Sequence, residues 1–382
     1  MIKIIAYSAA RSDTDRFFPF LNSLKKQKKV NLSVVASYIH YIDTFGGTIR
    51  HLNKYFNVEN RKFKTNTLKD SPNQLAKNLA NEIIYLSDLL KKKKPHILIL
   101  MGDRYEILAP AAATIPFNIP IVHIYGGAVT LGAIDELIRH AVSKISHLHL
   151  TAHDKYSNRL VKMGEERWRI KTVGIPGITN LRMQKNITIE NLRKEIFLDL
   201  RLKTLLVTLH PTTVNFKSID KEIDNLLNAL KKIKFQIIFT YPNSDLGHQK
   251  IIKKIKDFCQ KNRRCVFIKN ASISLYANFL KRSCAMVGNS SSGIVEAASF
   301  KLPVVNIGIR QDGKVKPKNV INTNFEEKKI LKAIKKASSQ KFKDSIKNLK
   351  NPYEKKVDLQ KITNFLLKSC KNSKILHKRF ID

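Results

Sequence analysis

Carboxylates and histidines cluster where apolar runs end in the first half of the sequence. Gly102-Asp-Arg-Tyr-Glu106 directly follows the run His96 to Met101, and His123-Ile-Tyr-Gly-Gly127 leads to Ala133-Ile-Asp-Glu-Leu-Ile-Arg-His140. Side chains of these types, held close together, can donate and accept protons in a transition state. The pattern predicts a general acid/base site, whose candidate residues are Asp103, Glu106, Asp135, Glu136, His123 and His140.

Two structural alternatives stay open beside this prediction. Asp135 and Arg139 stand four positions apart, a spacing that also produces an ordinary ion pair on a helix. His147 and His149 alternate along an apolar run, which is more typical of core histidines than of ligands.

A second kind of site is indicated by Gly288-Asn-Ser-Ser-Ser-Gly293, which follows the run Cys284 to Val287 and opens a predicted helix from Ile294 to Phe300. Small residues let the backbone approach a phosphate, and the N–H groups of a helix start favour negative charge. Glu296 could accept hydrogen bonds from ribose hydroxyls. Helix capping explains one serine but not three between two glycines. We therefore predict a diphosphate site formed by Ser290, Ser291, Ser292, Gly293 and Glu296.

Three further residues follow predicted strands and suit the same ligand. His210, in Thr208-Leu-His-Pro-Thr212, could bind a phosphate or a sugar hydroxyl. Arg11 and Arg310 could pair with phosphate, because the guanidinium fork matches its oxygens. The first strand ends in Ser8-Ala-Ala-Arg11 without GxGxxG, and no GxxxxGK[ST] occurs, so dinucleotide dehydrogenases and Walker ATPases lose support. A sugar nucleotide remains as the ligand.

The cysteines and the charge exclude several other classes. Cys259, Cys265, Cys284 and Cys370 form no CxxC pair and have no histidine at metal-ligand spacing, so we expect no metal and no disulfide, as suits a reducing cytoplasm. Net charge is +40, but the lysines are scattered and lack interleaved aromatic residues, so we expect no nucleic-acid partner. No stretch reaches the roughly 18 apolar residues of a membrane helix, so we expect no membrane partner.

The elements that must position these residues alternate between strands and helices. Apolar runs in the first half are Ile2 to Ala6, Leu32 to Ala36, His96 to Met101, Pro120 to Tyr125 and His147 to Thr151. Those in the second half are Leu205 to Leu209, Gln236 to Thr240, Cys265 to Ile268, Cys284 to Val287 and Pro303 to Ile307. Helical patterns such as Gln74 to Leu90 and Ile134 to Ile145 lie between them. This alternation predicts an α/β fold of two doubly wound, Rossmann-like domains with parallel sheets.

At 382 residues the chain is long enough for two such domains. We predict an N-terminal domain over 1–178 carrying the sugar and catalytic side, and a nucleotide-binding domain over 200–350. The boundary falls between Gly174-Ile-Pro-Gly177 and Lys203, and a helix with a basic tail over 351–382 packs back on the first domain. Ligands of open parallel sheets bind beyond the carboxyl ends of the strands, so the active site is expected in the interdomain cleft.

The order and spacing of many short motifs resemble the hydrolysing UDP-N-acetylglucosamine 2-epimerases of sialic and legionaminic acid biosynthesis, a family with a GT-B-like fold. The resemblance extends from Arg11 to about Tyr353. The matching pieces are Ala10-Arg-Ser-Asp13, Phe45-Gly-Gly-Thr48, Gly102-Asp-Arg-Tyr-Glu106, His123-Ile-Tyr-Gly-Gly127, Gly132-Ala-Ile-Asp-Glu136, Arg139-His140, Ser146-His-Leu-His149, His210-Pro211, Tyr241-Pro-Asn-Ser-Asp245, Gly288-Asn-Ser-Ser-Ser-Gly293, Glu296, Arg310-Gln311 and Asn351-Pro-Tyr353.

The resemblance implies a reaction in which the C2 proton of the sugar is removed, UDP is expelled and the resulting 2-acetamidoglucal is hydrated. It implies that Asp103 and Asp135 are catalytic, with Glu106 as a further carboxylate, and that His210 lies near the diphosphate. Ser290, Ser291 and Glu296 match the UDP pocket. No cofactor is required, because positive side chains and the helix start can offset the charge of the departing diphosphate.

The chain departs from the family pattern mainly in one loop. Tyr125 and Ala128 stand where an acidic residue usually precedes or follows the Gly-Gly pair, and Leu131 replaces a glutamate. Thr179 and Lys314 also differ from the usual residues. The UDP half is therefore intact and the sugar half is altered, with sugar-site candidates His123, Tyr125, Glu136, Arg139 and His140.

Three functions follow from the sequence. The first is a hydrolysing 2-epimerase, a homo-oligomer that acts on UDP-N-acetylglucosamine or on a UDP- or GDP-linked 2,4-diacetamido sugar. The second is a GT-B glycosyltransferase, or another sugar-nucleotide enzyme, with a rebuilt acceptor side. The third is a noncatalytic basic protein that binds nucleic acid, which steeply salt-dependent binding to random duplex would support.

Overall fold

The computed structural model describes residues 1–59, 71–356, 358–379 and 381, without the side chains of Arg11, Ser12, Thr14, Thr44, Asn215, Phe216 and Lys217. The chain divides into two compact units. Unit 1 comprises Met1–Ala128, Ile134–Gly177 and Lys355–Asp382, and unit 2 comprises Val129–Ala133 and Ile178–Glu354. The boundary thus falls directly after Gly177. The segment Val129–Ala133, which lies in the loop where the chain departs from the family pattern, groups with unit 2.

Among the described residues of unit 1, six strands form a parallel sheet in the order β2-β1-β3-β4-β5-β6. The strands are β1 Ile2–Ser8, β2 Val30–Ala36, β3 Ile97–Met101, β4 Ile121–Ile124, β5 Leu148–Thr151 and β6 Ile170–Thr172. The helices are α1 Arg11–Lys25, α2 Ile49–Tyr55, α3 Pro72–Lys93, α4 Leu108–Thr114, α5 Asp135–Ile145, α6 Asp154–Lys162, α7 Pro176–Arg182, which crosses the boundary, and α15 Leu359–Ser369.

The described part of unit 2 contains a second six-stranded parallel sheet, in the order β12-β11-β10-β7-β8-β9. Its strands are β7 Thr204–Thr208, β8 Gln236–Thr240, β9 Cys265–Ile268, β10 Ala285–Gly288, β11 Val304–Ile307 and β12 Val320–Thr323. Its helices are α8 Ile189–Ile196, α9 Ile219–Lys231, α10 His248–Gln260, α11 Ile273–Arg282, α12 Ser291–Val295, α13 Glu327–Ala337 and α14 Gln340–Ser345.

Both sheets are buried on both faces, because successive side chains of a strand point to opposite sides. In β1, Ile4 and Ala6 pack into one apolar cluster of unit 1, whereas Ile5 and Tyr7 pack into the other. Helix α15 contributes Ile362 and Leu366 to the first of these clusters. The C-terminal segment therefore completes the core of unit 1.

The predicted fold class, two doubly wound α/β domains, is confirmed. The predicted helix from Ile294 to Phe300 is wrong in its bounds: α12 spans Ser291–Val295, and a 3-10 turn follows over Ala297–Phe300. Within the described ranges, no helix combines the length and the apolar character that crossing a membrane requires.

Candidate functional site

Polar residues of each unit follow the two strands at which the sheet order reverses. The order reverses between β1 and β3 in unit 1, and between β7 and β10 in unit 2. Ligands of open parallel sheets bind outside the carboxyl ends of the strands at such a switch point. Asp13 and Asp103 follow β1 and β3, and His210 and Asn289 follow β7 and β10. Each unit therefore places candidate residues at its own switch point.

Arg139 organises the carboxylates of unit 1. Its side chain is fully buried, and its Nε and Nη2 both donate to Oδ2 of Asp103, with Nε at 3.1 Å. Nη1 donates to Oε2 of Glu136 at 2.6 Å and to the carbonyl oxygen of Ala128 at 3.2 Å. Arg139 was predicted as a sugar contact; because it is buried and bonded to these groups, it instead fixes their positions.

Three carboxylates act on this guanidinium. Burial opposes the charge of Arg139, but Asp103, Glu136 and Asp135 raise its pKa above the usual value. Asp135 and Glu136 also stand in the first turn of α5, where a helix dipole favours negative charge. Glu136 Oε1 lies 2.9 Å from Nε2 of His140, so this imidazole joins the cluster. The structure thus brings Asp103, Asp135, Glu136 and His140 together.

His123 was predicted as a sugar contact, and its environment contradicts this role. The side chain is fully buried, and Nε2 donates to the carbonyl oxygen of Gly102 at 2.8 Å. Nδ1 lies 3.1 Å from the hydroxyl of Ser143. Burial lowers the pKa of His123 to about 3, so the imidazole is neutral. It lies inside β4 rather than beyond its end, and it links β4 to β3 and α5.

Glu106 was predicted to be catalytic, but the structure gives it a different environment. Its side chain is only 3% exposed, and both oxygens accept hydrogen bonds from Arg104, at 3.1 and 3.2 Å. The carboxylate is therefore almost fully buried and paired with a neighbouring cation. Glu106 therefore balances the buried charge of Arg104.

Tyr125 was also predicted to contact the sugar, but its ring packs into the core. The ring centroid lies 4.6 Å from that of Phe17, against the apolar cluster of unit 1. Its φ of 75° is left-handed, which costs a non-glycine residue roughly 1–2 kcal/mol. Gly127 follows with φ of 73°, and a Cβ there would lie 2.4 Å from the carbonyl oxygen of Tyr156. The Gly-Gly pair thus lets the loop pass close to α6.

Asp13 is a residue that the sequence motifs contained but did not single out. It is buried at the start of α1, and its carboxylate lies 3.3 Å from where a Cβ on Gly102 would stand. Burial raises the pKa of Asp13 to about 7, against the effect of the nearby Arg104 and Arg16. A second carboxyl group, that of Asp13, therefore packs against the backbone of Gly102, which directly precedes Asp103.

In unit 2, Asn289 joins the ends of the two central strands. Its Oδ1 accepts a hydrogen bond from the backbone N–H of His210 at 2.7 Å, and its Nδ2 donates to the carbonyl oxygen of His210 at 2.8 Å. Nδ1 of His210 accepts the backbone N–H of Asn243 at 3.0 Å. The hydrogen of a neutral His210 imidazole therefore sits on Nε2. Sequence analysis missed Asn289, although its place directly after Gly288 was a usable sign.

Arg310 lies beside this pair with an incomplete set of partners. Its side chain is buried, with Nη1 3.4 Å from the carbonyl oxygen of Asn289 and Nη2 3.4 Å from Oδ2 of Asp245. Its Nε is buried and has no hydrogen-bond acceptor among the described residues. Because an unsatisfied buried donor is costly, Arg310 is suited to an anionic ligand.

The three serines of the segment Gly288-Asn-Ser-Ser-Ser-Gly293, called the diphosphate loop below, differ from one another. Ser290 caps α12 by accepting the backbone N–H of Ser292, and Ser290 and Ser291 are half-buried. The hydroxyl of Ser292, which was also predicted as a UDP contact, is bonded to that of Tyr276 at 2.6 Å. Glu296 is buried one residue beyond α12.

Two further predictions concern Arg11 and a metal site. The side chain of Arg11, a predicted UDP contact, lies outside the described part of the structure. Among the described residues, no three or more His, Cys, Asp or Glu side chains form a group that could hold a metal ion.

Two doubly wound units, each with polar side chains at its switch point, define a nucleotide-binding α/β architecture of the GT-B-like class. A family model described as UDP-N-acetylglucosamine 2-epimerase matches residues 22–367, and the chain belongs to that family. Membership confirms the resemblance drawn from the motifs, and it confirms the predicted class of enzyme, a nucleotide-sugar 2-epimerase. The glycosyltransferase alternative is not favoured.

Similar proteins cover the whole chain. A GDP/UDP-N,N'-diacetylbacillosamine 2-epimerase (hydrolyzing) of Campylobacter jejuni is 35% identical over 382 residues, which are 100% of this chain and 99% of that protein. The polysialic acid biosynthesis protein P7 of Escherichia coli is 30% identical over 392 residues, covering 100% and 98%. The solved structure of UDP-GlcNAc 2-epimerase from Neisseria meningitidis, bound to UDP-GlcNAc, matches 96% of this chain and 100% of its own with a TM-score of 0.79 and 20% identity. That likeness shows the fold.

Proposed function

We propose that the protein converts a UDP-linked 2,4-diacetamido sugar to the free 2-epimeric sugar and UDP, with the GDP-linked sugar and UDP-N-acetylglucosamine as further candidate substrates. The observation that carries the chemistry is the cluster of three carboxylates around the buried Arg139. The choice of a diacetamido sugar is supported by the Campylobacter jejuni relative, which is named for such a substrate and is similar along its full length.

In the proposed reaction, Asp103 removes the proton from C2 of the sugar. The C2–H and C1–O bonds break, a C1=C2 double bond forms, and the electron pair of the C1–O bond leaves with UDP. Asp103 suits this role because it follows β3 and its side chain is 30% exposed, whereas its orientation is fixed by Arg139. Glu106 and His123 are buried and bonded to Arg104 and to the carbonyl oxygen of Gly102, so they suit the role less well than Asp103 does.

The second half of the proposed reaction adds water to the double bond. The hydroxyl joins C1, and a proton joins C2 from the face that gives the 2-epimer. Asp135 and Glu136 are the carboxylates that remain for directing this water, since Ala128 and Leu131 stand where the family pattern has acidic residues. The Glu136–His140 pair can pass a proton between its two members.

We assign the departing UDP to unit 2. Arg310 and the Nε2–H of His210 offset the charge of the diphosphate, Ser290 and Ser291 donate hydroxyls to it, and Glu296 accepts hydrogen bonds from the ribose. The incompletely bonded guanidinium of Arg310 supports this assignment. The proposed reaction needs no cofactor. That it takes place in the cleft between the two units remains a prediction.

We further propose that the protein is a cytoplasmic homo-oligomer whose product enters sialic or legionaminic acid synthesis. Full-length similarity to a polysialic acid biosynthesis protein supports the proposed place of the product in sialic or legionaminic acid synthesis.

Turnover in D₂O tests the reaction. With the UDP-linked diacetamido sugar, we expect UDP release and a free 2-epimeric sugar that carries deuterium at C2, because the proton added to the glucal comes from solvent. Mass spectrometry and proton NMR of the product measure both. UDP release with no deuterium at C2 would contradict elimination, and the same assay with UDP-N-acetylglucosamine and the GDP-linked sugar ranks the three substrates.

Replacing Ser291 by alanine should weaken UDP binding about tenfold or more, because a hydrogen bond to a charged group contributes about 1.5–3 kcal/mol. Ser292→Ala is the matched control: its hydroxyl is bonded to Tyr276, so we expect little change in UDP affinity. Titration calorimetry with UDP measures both variants. Equal losses in the two would mean that the loop is disturbed as a whole and that Ser291 has no special contact.

A further inference from the structure

The C-terminal tail of the chain is anchored to unit 1 by a buried arginine. Arg169 is fully buried, and its Nη1 and Nη2 donate to the carbonyl oxygens of Lys374, Ile375 and His377, at 3.3, 2.8 and 2.8 Å. Its remaining donors bind the carbonyl oxygen of His147 and the carboxylate of Glu166. All five N–H groups of this guanidinium thus have acceptors, three of them in the tail. The tail therefore completes the bonding of a buried charge.

The anchored tail delivers Lys378 to the end of helix α5. Its ammonium donates to the carbonyl oxygens of Lys144 at 2.5 Å, Ser146 at 2.7 Å and Ser143 at 3.3 Å. The last carbonyls of a helix lack partners within the helix, and a cation there also complements the helix dipole. Lys378 thus satisfies carbonyl groups at the C-terminal end of α5 from 232 to 235 positions further along the chain.

The positive charge of Lys378 is balanced by the carboxylate of Glu165. Glu165 is fully buried and pairs with Lys378 and Lys144, each at 2.8 Å, and with His149 at 3.1 Å. Burial opposes ionisation of Glu165, but hydrogen bonds from His149 and the two lysines lower its pKa to about 2. Burial also lowers the pKa of Lys378, although Glu165 acts in the opposite direction. The ammonium and the carboxylate therefore stabilise each other's charge.

The helix held in this way is the one that carries the carboxylate cluster. Asp135, Glu136 and Arg139 lie in its N-terminal half, and Arg139 holds Asp103. An eleven-residue helix is roughly 16 Å long, so a rotation of about 4° around its C-terminal end moves its N-terminal end by about 1 Å. A displacement of about 1 Å can reduce a rate about 10²-fold.

We propose that Lys378 is a positioning residue for catalysis: by binding the carbonyl end of α5, it holds Asp135, Glu136 and Arg139, and through Arg139 the base Asp103, in the geometry that the reaction needs. The proposal rests on the proposed function for its catalytic consequence. It assigns a role in turnover to a tail residue that touches none of the reacting atoms.

Lys378→Ala tests this in the full-length protein. We expect kcat to fall about 10–100-fold while KM and the affinity for UDP change less than about twofold, since the lost contact displaces catalytic groups and leaves unit 2 unchanged. Backbone amides in the last turn of α5 should exchange hydrogen faster, as mass spectrometry of its peptides would detect. Lys378→Arg keeps the charge and the donors, and it should recover most of the lost kcat.

Lys374→Ala is the matched control, because its side chain is exposed in the same tail segment while its carbonyl still binds Arg169. It should behave as the wild type does. Should Lys378→Ala fail to fold, Lys378→Gln, which keeps donors without the charge, replaces it. Unchanged kcat in a folded Lys378 variant, or unchanged exchange in α5, overturns the proposal. If the wild type releases no UDP, the proposed function fails, whereas the exchange comparison still decides whether Lys378 holds α5.

Discussion

Replacing Asp103 by asparagine is expected to reduce kcat about 10²–10⁴-fold, the contribution of a positioned general base, while the affinity for UDP stays unchanged. Asparagine keeps the size of the side chain and can still accept a hydrogen bond from Arg139, but it cannot take the C2 proton. The UDP contacts that we assign belong to unit 2, so they are not affected. Steady-state kinetics of UDP release and calorimetric titration with UDP measure the two quantities separately.

Asp103→Asn also removes one charge beside the buried Arg139, so its effect on stability must be measured together with its effect on rate. Breaking a fully buried ion pair costs about 3–5 kcal/mol. The cost here should be smaller, because Asp103 is 30% exposed and Glu136 still pairs with Arg139. Asp154→Asn is a suitable control, since it removes a carboxylate of unit 1 from an exposed ion pair with Lys355. A rate loss matched by a loss of folded protein, or a loss of UDP affinity equal to that of kcat, would contradict the assigned role.

The strands that the sequence predicted best are those with continuous apolar runs. The predicted ranges for β8 and β9 equal the observed ones. The strands β6 and β12 were missed, and both lie at sheet edges, but so do β2 and β9, which were predicted. The difference is composition: β9 reads Cys-Val-Phe-Ile, whereas Lys171 interrupts β6 and β12 ends in Asn322 and Thr323, so neither of the missed strands has the apolar run that reveals a strand.

The candidate site was predictable in its location but not in its pairings. The rule that ligands bind at strand ends placed Asp103 and His210 correctly at the ends of β3 and β7. It could not separate His123, which lies inside β4, from residues beyond a strand end. The contact between Arg139 and Asp103 joins positions 36 apart and depends on how α5 packs, which no local pattern specifies. The link from Lys378 to α5 is more distant still.

Gly288→Ala should destabilise unit 2 by at least about 3 kcal/mol, combining backbone strain with overpacking. Gly288 ends β10 with φ of 130°, and a Cβ there would lie 1.9 Å from the carbonyl oxygen of Thr208 on the neighbouring strand. Since this oxygen belongs to the sheet, it cannot rotate away as a side chain would. Relief requires β7 and β10 to separate, which would displace His210 and Asn289. We therefore expect the melting temperature to fall by about 6–12 °C and UDP affinity to fall with it.

Gly247→Ala separates the two causes within the same unit. Its φ is 91°, so an added side chain is strained there too, but the nearest atom is the end of the Ile219 side chain rather than backbone. Strain alone should cost about 1–2 kcal/mol, clearly less than at Gly288. Calorimetric melting of both variants with and without UDP gives the comparison. Equal melting temperatures for the two, or full UDP affinity in Gly288→Ala, would show that the close approach of β7 to β10 does not hold the diphosphate loop in place.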